Sequence, residues 1–373
     1  MKFNTDGKIF QQQLQAVNKV INSKNAMSIL DNFLFELEGE TLIITGSDQE
    51  NIVSARLQVL ESDGQGAIAV PAKTLLEITK EVSNQPIEFI LNETTGEIEV
   101  KFLNGDFKFM GINADEFPRG EKLEDNGQVI ESTGSVILKG IEKTIYAVSQ
   151  ETIRPIMTGI YWDIHNDDIT FVASDTHKLV RYITNEVHPG FERGFIMPFK
   201  PASILKGIIG KEDSVKITLG EKGAKFEFGS FSLSCRFIKG NYPNYNRVIP
   251  TGNPYVVTVD RQSFLMAMRR VAIFASKASN LVKMQISNGS LLLAAQDLDY
   301  GTSAKETVMC DYDGNDMTIG FNSVFTLEIL TNINSETILL KLSDPARPGV
   351  FEPLEQEPGC NLVTIEMPMQ VIE

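Results

Sequence analysis

Hydrophobic positions along the chain follow two periods. Phe10, Leu14, Val17 and Ile21 fall at i, i+4, i+7 and i+11, one face of a helix. Ile141, Ile145 and Val148 repeat that pattern, and so do Phe264, Met268, Val271 and Phe274, which follow the N-cap candidate Asp260. Between these helices the pattern changes to short alternating strands. "LIITGSDQENIVSARLQV" from Leu42, "ITFVASDTHKLVRYIT" from Ile169 and "LLLAAQDLDYGTSAKET" from Leu291 each read as an apolar strand, a polar break and a second strand. The breaks carry Asp48, Asp175 and Asp297. Each is followed by a strand, a stop and a helix pattern: "GAIAVPAKTLLEITKEV", "RGFIMPFKPASILKGII" and "DMTIGFNSVFTLEILTNI".

The spacings show a repeat. Asp48 to Asp175 is 127 residues, as is Pro71 to Pro198, while Asp297 and Asn322 follow 122 and 124 residues later. Constant offsets between dissimilar strings mean three copies of one unit. Each copy is expected to be an α+β domain, two helices on one face of an antiparallel sheet of about eight strands. The expected domains are 1–127, 128–253 and 254–373, with boundaries in the polar stretches 122–128 and 250–255. The six helices are predicted over 9–24, 71–82, 138–150, 199–211, 261–277 and 322–333.

Composition adds limits. Apolar residues make up 42% of 373, enough for filled cores, and no run of eighteen spans a membrane. The start "MKFNTDGKIFQQQLQ" lacks the apolar core of an export signal. Cys235, Cys310 and Cys360 are far apart and read as thiols of a reducing cytosol.

A net charge of −15 argues at first against nucleic acid. Its distribution reverses that reading. The six predicted helices hold thirteen Lys and Arg against four Asp and Glu, so they are net +9 and the rest of the chain is −24. Solvated helix faces readily explain a bias on one helix, but less well a bias in the same direction across most helices of three copies. A basic surface within an acidic protein suits a duplex held through its phosphates, without sequence reading. Helices pack about 10 Å apart, so twelve side by side would ring a hole of roughly 28 Å, wide enough for a B-form duplex. Six helices supply half of it, and two chains joined head to tail would close it.

The Asp175/His177 pair in "VASDTHKLV" invites a catalytic or metal reading. The other copies hold Asp48/Glu50 and Asp297/Asp299 at these places, so the Asp recurs as a turn-fixing residue and the His does not. No nucleophile or further ligand has the needed spacing; no catalytic residue, metal or cofactor is expected. "DYDGND" (311–316) lacks the Gly and Glu of a calcium loop, and "GEKGAK" (220–225) lacks P-loop order.

Over its whole length the chain resembles the bacterial sliding-clamp family, the β subunits of DNA polymerase III. The pieces carrying the resemblance are "MKF", "ITGSD", "VPAK", "ETIRPIMTGIYWD", "ASDTHKL", "YPNYNRVIP", "IGFN" and "MPM", in that order. It implies a clamp fold of three domains closing as a dimeric ring around DNA, tethering polymerases without chemistry of its own. The alternative is a repeat-built interaction scaffold that never touches DNA.

The resemblance also implies a partner-peptide pocket between the second and third domains. Carried over by position, it would use Met157, Ser174, Thr176, His177, Lys178 and Leu179. Pro243, Arg247, Val248, Asn322, Phe325 and Ala346 would follow. Ile365, Met367, Pro368 and Met369 of the tail would complete it, and removal of 365–373 would abolish peptide binding. Thr176 stands where Gly is common and Lys178 where Arg is common, and the tail runs on as "QVIE". Lys24, Lys73, Gln150, Lys200, Arg269 and Arg270 would face DNA. Phe109, Ile273 and Phe274 would form the apolar part of the dimer interface. Asp106 and Asn104 occupy places where basic residues can occur, so closure is expected to rest on apolar contact and strand pairing. Implied partners are double-stranded DNA, the polymerase III alpha subunit and other polymerases, the clamp loader, and mismatch-repair and ligase-type clamp-binding proteins. The implied location is the bacterial cytoplasm, at replication forks on the nucleoid.

Overall fold

The computed structural model describes residues 1–119 and 127–371. Most of the first expected boundary, 122–126, lies outside them. Among the described residues there are twenty-six strands and six helices, and every named strand pair is antiparallel. The helices are α1 (Gly7–Asn18), α2 (Ala72–Val82), α3 (Gly134–Thr144), α4 (Phe199–Ile208), α5 (Arg261–Ala272) and α6 (Ser323–Asn332), two in each copy of the repeat.

The apolar periodicity becomes core. Phe10, Leu14 and Val17 of α1 are fully buried, as are Phe264 and Met268 of α5. Each such side chain contributes about 1.5–3 kcal/mol on leaving water. In the first copy Phe3 stacks on Phe89 at 4.9 Å, and Phe10 meets Phe3 and Phe35 edge-on. The expected cap Asp260 accepts the Ser263 N–H at 2.7 Å, and Asp6 does the same for Ile9 at 2.9 Å.

Four helices end three or more residues before their predicted limits, and α4 among them stops at Ile208. α1 closes at Asn18, and the bonds from Val20 to Val17 and from Ile21 to Asn18 are tighter three-residue turns. Beyond them the Asn-Ser-Lys-Asn run cannot sustain helix, because short polar side chains compete for the backbone. α3 begins at Gly134 and gives way to a 3₁₀ turn at Ile145–Ala147. α5 stops at Ala272, which leaves Ile273 70% exposed.

The described chain forms two compact units, one of residues 1–138 with 200–237 and one of 139–199 with 238 onward. Each contains a sheet shared by two copies of the repeat. In the first unit, strand Asn51–Gln58 pairs with Phe231–Arg236, Ala55 opposite Phe231, within a nine-stranded sheet. A separate five-stranded sheet there ends on the edge strand Gly105–Met110, which carries Phe109. In the second unit, strand Lys178–Thr184 pairs with Cys360–Glu366 within a twelve-stranded sheet.

The recurring aspartates fix turns, as expected. Asp48 Oδ1 accepts the N–H groups of Glu50 and Asn51, Asp175 Oδ1 those of His177 and Lys178, and Asp297 Oδ1 those of Asp299 and Tyr300. Gln49 and Thr176, at equivalent places in the first two turns, both take φ of +79°. A β-branched residue is disfavoured there, which is the physical reason a glycine suits the position of Thr176.

Candidate peptide pocket and helix cations

The turn at Asp175 opens a side-chain cluster in the second unit. Ser174 is buried; its Oγ donates to the Lys178 carbonyl at 2.8 Å and accepts the Thr176 N–H at 3.1 Å. It shapes the turn and offers no free hydroxyl. Lys178 has a side chain only 4% exposed. Its ammonium donates to Asp175 Oδ2 at 2.5 Å, lies 3.0 Å from Glu328 Oε2 of α6, and sits 4.3 Å from the Phe325 ring centroid. The exposed His177 stacks on the same ring at 5.7 Å, so α6 and the turn share one aromatic face.

Directly across the strand pair from Lys178 stands Glu366, with no exposed surface. Its Oε2 accepts the Thr326 hydroxyl at 2.8 Å. Burial pushes this carboxyl well above the usual carboxylate range, although Thr326, the Asn322 backbone and Lys178 pull it down. One ammonium already shared by two carboxylates leaves Glu366 without a counter-charge of its own, which favours its protonated form.

A raised folded pKa means that the folded state keeps a proton the unfolded chain releases. The associated stability is complete below the unfolded carboxyl's value near 4.5 and is lost as pH rises towards the folded value. Glu366→Gln is therefore expected to change little at pH 4 and to add about 1–3 kcal/mol at pH 8, read from urea midpoints. A gain equal at both pH values would sink this reading.

The wall behind the turn is apolar. Leu179 faces Ile365 across the strands, and both pack with Val172, Tyr245, Val350 and Val363. Tyr161, Tyr242 and Ile249 lie against that cluster, and Tyr161 stacks on Tyr242 at 4.8 Å. Burial and the neighbouring Asp163 raise the Tyr245 hydroxyl, which stays protonated and donates to Asp163 Oδ2 at 2.7 Å.

The tail closes over this region. The Met367 N–H donates to the His177 carbonyl and the Met369 N–H to the Gly320 carbonyl, both at 2.8 Å. Asn322 caps α6 by accepting the Val324 N–H at 3.0 Å. His177, Lys178, Leu179, Phe325, Ile365 and Met367 thus form one connected group. Arg247, Val248 and Ala346 are exposed, and Met157, Pro368 and Met369 half-buried. Pro243 is exposed in the loop before Tyr245.

Glu328, Glu366 and the tyrosines are not marked as site residues by the repeat. Alternation sets Glu366 on the face of Thr364, opposite Val363 and Ile365, so the local pattern reads it as solvent-facing and its burial is a tertiary effect.

The helix cations divide. In the first unit Lys24 and Lys73 have exposed side chains. Lys200 is committed: its ammonium donates to Asp48 Oδ2, the Val20 carbonyl and Asn22 Oδ1. In the second unit Arg269 and Gln150 are exposed, whereas Arg270 is held by both oxygens of Glu306. Lys143 and Arg261, counted in the helix charge, are spent on carbonyls of Asn332, Ser335 and Leu330. The basic character of the helices is thus smaller than the raw count.

Comparison with known proteins follows the repeat. Residues 1–121 match the family of the DNA polymerase III beta subunit, N-terminal domain; 133–244 match its central domain and 246–370 its C-terminal domain. The beta sliding clamp of Pseudomonas aeruginosa is 28% identical over 374 residues, covering all of both chains. That of Synechococcus elongatus is 26% identical and covers 96% of each. The crystal structure of the Pseudomonas aeruginosa DNA polymerase III subunit beta superposes with a TM-score of 0.94 at 26% identity, over the full length of both chains. A sliding clamp from Bartonella birtlesii, solved bound to griselimycin, gives 0.92 at 26% identity, also over both full lengths.

Proposed function

Since the chain belongs to the DNA polymerase III beta-subunit family, the bacterial sliding clamps, we propose that two copies close head to tail around duplex DNA and tether polymerases to it. As a beta subunit it is an accessory of the polymerase and not its catalytic chain. The observation that carries this reading is the full-length match of all three repeats, in order, to the three domains of that family. A scaffold that never meets DNA has no such support.

Contact with DNA would be electrostatic and independent of sequence. Lys24 and Arg269, exposed on or beside the helices, would meet phosphates, with Gln150 as a polar contact. Lys200 and Arg270, already ion-paired, would contribute less. The exposed Ile273 and the half-exposed Phe274 and Phe109 suit an apolar joint between copies. Two unpaired strand edges among the described residues, Gly105–Met110 and Thr302–Met309, suit pairing across it.

The pocket at His177, Lys178, Leu179, Phe325 and the tail would take a short apolar-ended peptide. Met367 and Met369 give an adaptable wall and the buried polar groups fix register. The polymerase III alpha subunit, other polymerases, the clamp loader, and mismatch-repair and ligase-type proteins would compete for it. Such a protein works in the cytoplasm on the nucleoid.

The test is topological. Loaded protein should stay on closed circular DNA through gel filtration and be released when the circle is cut once. Equal retention before and after cutting would show that it does not encircle the duplex.

A further inference from the structure

We propose that each joint between two copies of the chain is latched by an ion pair between Lys73 of one copy and Asp297 of the other. The inference rests on the head-to-tail ring, and the fold has already built the same contact once inside the chain.

The internal example lies in the first unit. There strand Asn51–Gln58 pairs with Phe231–Arg236, which joins the first copy of the repeat to the second. Asp48 divides its carboxylate: Oδ1 holds its own turn and Oδ2 receives the ammonium of Lys200. Lys200 is the second residue of α4 and reaches back to the end of α1, where it also donates to the Val20 carbonyl and Asn22 Oδ1, each at 2.6 Å. One cation thus ties a turn and a helix end of one copy to a helix start of the next.

Both halves of this contact recur. Lys73 lies 127 residues before Lys200, is the second residue of α2, and is exposed. Asp297 is the third copy's Asp48. It is only 7% exposed, and its Oδ1 holds the turn through Asp299 and Tyr300. Among the described residues its Oδ2 has no hydrogen-bond partner and keeps access to solvent, so it is open to a cation from outside the chain. The helix end recurs as well. Val20 lies ten residues after Phe10 and Phe274 ten after Phe264, and both close their helix by a bond to the residue three before. The Phe274 carbonyl therefore stands where the Val20 carbonyl does, with Ser276 in the place of Asn22.

The remaining junction explains why the pattern is informative. Where the second copy meets the third, the residue equivalent to Lys200 is Val324, and Asp175 Oδ2 turns to Lys178 of its own strand. No helix-start lysine crosses there to Asp175; Lys178 of the second copy reaches Glu328 of the third instead, and the tail lies beside that turn. Two kinds of junction share the helix-start lysine, and the third, bridged by Lys178 instead, borders the proposed peptide pocket. The assignment moves Lys73 from the duplex-facing set to the joint, and it supplies an ionic contact where the sequence near Phe109 offered none.

The test is a double-mutant cycle on the full chain by sedimentation over a concentration series. Asn at 297 keeps an oxygen for the turn, so Asp297→Asn removes charge with little cost to folding, which circular dichroism checks. Lys73→Met and Asp297→Asn should each weaken self-association about tenfold, and the double variant should be no weaker than either single one. Lys80→Met on the same helix should change nothing. Losses that simply add, or variants as tightly associated as the parent, would overturn the latch while leaving the ring intact. A parent chain that stays monomeric at every concentration would overturn the ring itself.

Discussion

Truncation after Glu366 is expected to reduce affinity for an apolar-ended clamp-binding peptide by about a hundredfold, or roughly 2.7 kcal/mol, with fold and self-association kept. The position of the cut follows from packing. Ile365 and Glu366 are 2% and 0% exposed and pair with Leu179 and Lys178, so a deletion from 365 removes core as well as pocket. Residues after Glu366 are held differently. Two backbone hydrogen bonds, from Met367 to His177 and from Met369 to Gly320, fasten them. Their loss exposes two carbonyls to water, which costs about 1–2 kcal/mol of stability. Fluorescence anisotropy with a labelled peptide reads the affinity and a urea curve reads the fold. Peptide binding unchanged by the truncation would remove the tail from the pocket.

Lys178→Met is expected to destabilise the protein by about 2–4 kcal/mol at neutral pH. The ammonium is nearly buried between Asp175 and Glu328 and is packed on Phe325. Methionine fills similar volume but leaves two carboxylates close together without a counter-charge, and it removes one of the influences that lower the Glu366 carboxyl. The half-exposed Glu328 recovers some hydration, which keeps the cost below the upper range for a fully buried pair. Lys178→Arg, which keeps the charge, should lose less. A urea midpoint for Lys178→Met within experimental error of the parent would mean that water, and not the carboxylate pair, sets the energy of this cation.

Much of the architecture was legible because it depends on local chemistry repeated three times. Asp48, Asp175 and Asp297 recur since each makes the same turn from its own side-chain oxygen, a contact spanning three residues. The helices follow from apolar spacing and caps such as Asp260. Their ends were less legible, as at α1, where a polar run after Asn18 cannot outcompete its own side chains for backbone bonds.

The site was legible in part. The resemblance supplied its place, and the geometry joins His177, Lys178, Leu179, Phe325, Ile365 and Met367. Sequence gave no means of seeing that Ser174 is spent on its turn. Nor could it show that Lys178 answers two carboxylates while a third, Glu366, is buried beside them.

By itself the sequence determined the threefold repeat, its helices and turns, the charge contrast between helices and the rest, and the family. Those features depend on residue type and spacing along the chain. Only the tertiary structure decided which charges are available. Lys24, Lys73 and Lys200 look alike in sequence, but only Lys200 meets an aspartate 152 residues away and is neutralised there. A charge's role depends on the groups folding brings within a few ångströms, because the Coulomb energy of a pair is set by that distance and by the water excluded around it.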